Sequence, residues 1–298
     1  MNQNLTNLID VIERFPDEKS CRDYLIETRW NNKPICYYCG NDKKIYKINE
    51  GKTLKCSRCR KQFSVKVGTI FENSAIPLQK WFLAIYVVTA HKKGIASTQL
   101  ARDIGVTQKT AWFMLHRIRF AVSEPAYASK LEKVVEIDHG HIGKQPHHGR
   151  YDSEKVVLGM VQRQGEIRLK RVNDTKAKSL ESKLKENIDE NAIVISDESK
   201  SFYNLHQKFF HLKVNHSKQH VNGMIHTNTI DGFWSMLKRG IYGIYHHVDN
   251  EHLDKYCDEF QFRYNTRKLT DTERFSKMLK NCQGRLTYQE LIKNEASA

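Results

Sequence analysis

The chain has 298 residues, of which 39% are hydrophobic and 28% charged, and carries a net charge of +15. That length supplies two or three domains with a sizeable core. The longest apolar run, around Trp81 to Val88, is about half of what a bilayer span needs, and the opening MNQNLTNLIDVIERF lacks the basic and apolar regions of a signal peptide, so a membrane or secreted protein is not expected.

Residues 1–35 read as a short helical lead-in, with Leu8, Ile9 and Ile12 at helical spacing and Tyr24, Leu25 and Trp30 following. Residues 36–70 contain Cys36-x2-Cys39 and Cys56-x2-Cys59, separated by sixteen residues. Thiolates grouped two and two suit one tetrahedral zinc ion. Between them, KKIYKINEGKTLK reads as two strands turning at Asn49-Glu50-Gly51, which predicts a zinc ribbon with a cysteine knuckle at each hairpin end. The other cysteines, Cys21, Cys257 and Cys282, are scattered and odd in number, which points to reduced thiols in a cytoplasmic setting.

Residues 76–122 predict a helix-turn-helix. Leu78, Trp81, Phe82, Ile85 and Tyr86 form a core-facing helical stripe that Gly94 ends. Ser97 then caps a short helix, Gly105 supplies the tight turn, and Thr107 caps a second helix that buries Ala111, Met114, Leu115 and Ile118. The opposite face of that helix offers Gln108, Lys109, His116, Arg117 and Arg119 as groove-reading residues. Residues 36–120 carry 16 basic and 4 acidic side chains, so +12 of the net charge lies in less than a third of the chain. A block of that charge implies a polyanionic partner, and double-stranded DNA is the expected one.

After Ser123-Glu-Pro125 the texture becomes α/β. Val134 to Asp138 predicts a strand running into a histidine-rich loop from His139 to Arg150. Val156–Val161 and Ile167–Val172 predict two more strands, Thr175 to Ile188 an amphipathic helix, and Ala192–Asp197 a fourth strand, apolar on both faces and therefore interior. The order β-β-β-α-β, with an acid ending the first and fourth strands, fits a ribonuclease-H-like mixed sheet. The expected fold class is α+β and multidomain, with this sheet domain over residues 130–270 and a C-terminal helical tail over 271–298.

If their strands are neighbours, the carboxylates of Asp138 and Asp197 converge, and such oxygen donors suit hard divalent cations. Within His226 to Arg239, Asp231, Trp234 and Lys238 fall at i, i+3 and i+7 on one helix face, where a third carboxylate can complete a metal site and a lysine can hold a phosphate.

The stretches Val135-Glu-Ile-Asp138, Asp197-Glu-Ser-Lys-Ser-Phe-Tyr203, Val214-Asn-His216-Ser217, His226 to His247 and Tyr256 to Arg267 resemble the insertion-sequence transposases that join a zinc ribbon and helix-turn-helix to a DDE catalytic domain, the branch akin to Merlin elements. The resemblance spans roughly residues 15 to 270. It implies that Asp138, Asp197 and Asp231 hold two catalytic Mg²⁺ or Mn²⁺ ions, with Lys238 and Arg239 at the scissile phosphate. It further implies that His226 and Asn228 position the third acid or the strand, and that Arg263 and Arg267 clamp the DNA backbone. Asp231 stands where the family usually has glutamate, and His139-Gly-His141-Ile-Gly143-Lys144 replaces the usual acid, aromatic and glycine pair. The implied partners are the terminal inverted repeats, target DNA and further copies of the chain in a nucleoid-associated, prokaryotic dimer or higher oligomer. Two other readings stay open at this point: a DNA-binding regulator with an inactive catalytic domain, and a nuclease that cuts without joining.

Overall fold

The computed structural model describes residues 4–123, 129–142, 156–214 and 224–292. Residues Gly143 to Arg150 of the histidine-rich stretch and the Asn215-His216-Ser217 motif lie outside them. The chain forms two compact units, one of residues 1–122 with 268–298 and one of residues 123–267.

In the first unit, α1 (Leu8–Arg14) and α2 (Glu18–Trp30) each start in a capping box, at Asn7 with Asp10 and at Asp17 with Ser20. The lead-in is helical, but Leu8, Ile9 and Ile12 are exposed; Leu5, Val11 and Phe15 turn inward instead. The ribbon sheet runs β1 (Ile45–Ile48), β2 (Thr53–Cys56), β3 (Gln62–Phe63) in antiparallel order. Asn49, Glu50 and Gly51 all take positive φ at the predicted turn. The short third strand was not expected.

Helices α3 (Leu78–Ala90), α4 (Ser97–Ile104) and α5 (Gln108–Val122) build the helix-turn-helix. Gly105 adopts φ 62° at the turn, and the Thr107 hydroxyl accepts the Thr110 amide at 3.2 Å as the expected cap. Ser97, by contrast, is the first helical residue of α4 and does not cap it. The C-terminal stretch returns to this unit: α9 (Asp271–Lys280) inserts Phe275 among Phe15, Tyr24, Phe82 and Tyr86, with ring centroids 5.6–6.5 Å away. A short α10 (Tyr288–Ile292) follows.

The second unit is a five-stranded mixed sheet with helices on both faces, in the order β6-β5-β4-β7-β8. Its strands are β4 (Val134–His141), β5 (Val156–Gln162), β6 (Ile167–Val172), β7 (Ile193–Asp197) and β8 (Phe210–Val214). β4 pairs antiparallel with β5 and parallel with β7, which is interior as its all-apolar pattern demands. On one face α6 (Ala177–Asn187) and a 3₁₀ helix (Lys200–Gln207) lay Leu180, Leu184, Phe202 and Leu205 on Ile137, Leu158, Met160 and Val194. On the other, α7 (Asn228–Gly240) and α8 (Leu253–Asn265) lay Ile230, Trp234, Leu237 and Phe260 on Val157, Val161 and Ile167.

Two features depart from the sequence reading. β4 does not end at Asp138: residues 139–141 continue the ladder against Leu158, Val157 and Val156, so His139 and His141 are strand residues. β8 is an additional parallel strand whose pattern is only half-buried. The outer edge of β6 is closed by α8, where Gln261 Oε1 accepts the Leu169 amide and Asn265 Oδ1 the Ile167 amide, both at 2.8 Å. Side-chain amides there saturate backbone groups that an open edge would offer to another strand.

Candidate functional site

The four ribbon cysteines are gathered with all sulfurs within 4.8 Å of one another. Cys36 and Cys59 sulfurs are 3.6 Å apart, and those of Cys39 and Cys56 3.7 Å. A tetrahedral site with bonds of about 2.3 Å has sulfurs about 3.8 Å apart, so the spacing is that of a four-thiolate centre. The two knuckles are built alike. Gly40 donates to the Cys36 carbonyl at 2.9 Å and Arg60 to the Cys56 carbonyl at 3.1 Å, each residue at positive φ. The Cys59 amide donates to Cys56 Sγ at 3.5 Å, a hydrogen bond that favours the thiolate a metal needs.

In the sheet domain, alternation puts Glu136 and Asp138 on the face of β4 covered by α7. The parallel register pairs Glu136 with Ile195; carried two residues on, it brings Asp138 level with Asp197. Trp234 of α7 lies over Gly140 and Gly159, where a Cβ would meet its ring at 3.2 and 2.8 Å, so only glycine lets the indole come this close. That indole donates to Asp138 Oδ2 at 2.9 Å, and the His139 amide donates to Oδ1 at 2.7 Å. Burial, then the charge of Asp197, push the Asp138 carboxyl up to about 7; Asp231 adds to the rise, and the His139 and Trp234 hydrogen bonds oppose it.

Asp197 accepts the Ser199 amide at 3.0 Å, and Asp231, exposed in the first turn of α7, accepts the Thr227 hydroxyl at 3.0 Å. All three acids therefore share one electrostatic neighbourhood, although they are not drawn in to the 4.8 Å spacing of the cysteines. No lysine or arginine is ion-paired with any of them among the described residues. A carboxylate set with its mutual repulsion unrelieved fits a hard divalent cation.

Lys238 and Arg239 are exposed near the end of α7. Burial, then the Lys238 charge, lowers the His141 pKa, and His139 packs edge-on against Phe202 rather than pointing into a solvated loop. Trp234 is a buried core residue and joins the site through its N–H.

The expected DNA-contacting residues separate into two groups. Gln108 and Lys109, in the first turn of α5, are exposed, as are Asn228, Arg239 and Arg267. Arg117, Arg119 and His116 are buried, which corrects their expected place on the groove-facing side of α5. Arg117 is committed to the carbonyls of Ile70, Glu72 and Leu286. Arg263, expected at the DNA backbone, is buried in an ion pair with Glu259. His226 is half-buried beside Arg163. Sequence reading passed over Glu136, Arg163 and Thr229, which tie α7 and the segment leading into it to β4; the one signal was an acid inside the apolar run Val134–Ile137.

A family model for the ISXO2-like transposase domain matches residues 130–265, and a transposase zinc-ribbon domain matches residues 16–62. An uncharacterized protein in transposable element ISH50 of Halobacterium salinarum is 27% identical, over 85% of this chain and 92% of that protein. The ribbon match contains all four clustered cysteines, and the domain match contains the sheet with its three acids. The two matches thus set a transposase zinc ribbon ahead of a transposase domain in one polypeptide, and the chain is similar to insertion-sequence transposases that carry both modules.

Proposed function

We propose that this chain is a transposase that binds the terminal inverted repeats of its element, cleaves a DNA strand there and joins the freed end to target DNA. The observation that carries this reading is the half-buried Asp138, its carboxyl raised by desolvation and by the charges of Asp197 and Asp231, inside a matched transposase domain. Asp138, Asp197 and Asp231 would hold two Mg²⁺ or Mn²⁺ ions, and Cys36, Cys39, Cys56 and Cys59 one structural zinc. The bound divalent ions supply Lewis-acid activation of the attacking oxygen and stabilisation of the leaving 3′ oxygen during in-line displacement.

The protein's own share is positioning and charge. Asp138 must release its proton before it can act as a ligand, so a carboxyl held at about 7 ties site assembly to pH near neutrality. Lys238 and Arg239, exposed beside the acids on α7, bind the scissile phosphate. Water is the nucleophile for cleavage and the liberated 3′ hydroxyl for joining. The exposed first turn of α5, with Gln108 and Lys109, enters the major groove, as the amino-terminal residues of recognition helices do. Two copies act together because two element ends must be processed in one event.

A strand-transfer assay with labelled duplexes carrying the terminal repeats, in Mg²⁺ or Mn²⁺, tests the reading. A transposase cuts and joins, a nuclease only cuts, and a regulator binds without cutting. Asp197→Ala should abolish both steps with DNA affinity nearly intact; cleavage at the wild-type rate in that variant refutes the site.

A further inference from the structure

Glu136 lies two residues before Asp138 on the same face of β4 and is fully buried. A carboxylate in an apolar strand costs several kcal/mol unless its lone pairs are occupied. Here they are. Oε1 accepts from Arg163 Nε at 2.7 Å and from the Thr229 hydroxyl at 2.9 Å, while Oε2 accepts the backbone amides of Thr229 at 2.8 Å and Ile230 at 3.0 Å.

Those two amides belong to the first turn of α7, where helical N–H groups have no partner within the helix. The helix has no side-chain cap of its own: Thr227, at the N-cap position, turns its hydroxyl to Asp231 instead. The cap is delivered from a strand more than ninety residues earlier in the chain. Arg163 extends the tie, donating to the carbonyls of Met224 at 2.6 Å and His226 at 2.8 Å, and so fixes the segment leading into α7.

α7 is therefore fastened to β4 twice. Glu136 holds its first turn, and Asp138 holds the Trp234 indole, with Asp231 between the two anchors.

We infer that Glu136, braced by Arg163, is a positioning residue of the transposition site: by capping α7 from the strand that carries Asp138, it sets where Asp231 stands relative to Asp138. This inference rests on the catalytic role proposed for the three acids.

The test uses the full zinc-loaded chain. Glu136→Gln keeps shape but presents an NH₂ group to donors. Its expected effect is a fall of about 10–100-fold in kcat for end cleavage, with KM for the repeat duplex unchanged. Mn²⁺ affinity, read by EPR without DNA, should weaken by a similar factor. Thr229→Val, which removes one hydroxyl donor and leaves the backbone intact, should show the same pattern at smaller amplitude. A folded Glu136→Gln protein with wild-type kcat and Mn²⁺ affinity overturns the inference; if that variant does not fold, wild-type values in Thr229→Val overturn it. Failure of the underlying reading looks different: wild type and Asp138→Asn would then cleave alike and bind Mn²⁺ alike.

Discussion

Replacing Asp138 with asparagine should make the protein more stable at pH 8 while abolishing cleavage. The native carboxyl keeps its proton to about pH 7, whereas the unfolded chain releases it near 3.8. Between those values the native state binds more protons than the unfolded one, so wild-type stability falls as pH rises from about 4 to about 7 and is level above. At about 1.36 kcal/mol per pH unit, the displacement amounts to on the order of 4 kcal/mol against the charged native state. The Asp138 side chain is 23% exposed, so solvent screening makes that an upper bound.

Asparagine removes the charge but can accept only one of the two hydrogen bonds from His139 and Trp234 well, a loss of about 1–2 kcal/mol. The remainder, about 2 kcal/mol, corresponds to a rise of about 4–8 °C in melting temperature for a unit of this size. Calorimetry of Asp138→Asn and wild type at pH 5 and pH 8, without added divalent ions, reads it directly. The gain should appear at pH 8 and vanish or reverse at pH 5, where the wild-type carboxyl is protonated. Millimolar Mn²⁺ at pH 8 should reverse the ranking, because it stabilises only a protein that binds it. An equal difference at both pH values, or an equal Mn²⁺ effect on both proteins, refutes the argument.

Four further outcomes follow from the geometry. Cys56→Ser should reduce bound zinc from one ion per chain to near zero and melt the ribbon, measured by zinc release and circular dichroism. Arg117→Ala, which strands the carbonyls of Ile70, Glu72 and Leu286, should cost on the order of 3 kcal/mol in denaturant unfolding, and the salt dependence of DNA binding should not change. Lys109→Ala should do the reverse, lowering the salt slope of DNA affinity by about 0.9 with stability unaltered. Gly159→Ala sets a methyl 2.8 Å from the Trp234 ring; it should destabilise by about 1–3 kcal/mol and slow cleavage, and wild-type melting in that variant would show that the indole has room to move.

How much of the fold was legible followed the range of the interactions that make it. The β1–β2 hairpin, the αL turn at Gly105 and the Thr107 cap are set by residues a few positions apart, and local pattern suffices for such features. Strand β6 matches its predicted bounds, and the interior place of β7 follows from its apolar run. The extension of β4 through His139-Gly-His141 was not legible, because polar residues continue a strand only when a partner such as β5 supplies the ladder. β8 needed β7 in the same way. In α1 the helical period was correct, but packing against α3 chose Val11 over Leu8, Ile9 and Ile12.

The amino-acid order alone determined that four thiols come together, that two short helices meet at a tight turn, and that acids end up at Asp138, Asp197 and Asp231 on a strand, a strand and a helix. Only the tertiary structure decided which charges face inward. Arg117 and Arg263 look like surface cations in sequence, yet distant carbonyls and Glu259 draw them into the interior. Glu136 finds its partners more than ninety positions away. A buried charge is tolerable only where the folded chain brings it hydrogen-bonding partners, and that convergence is a property of three dimensions.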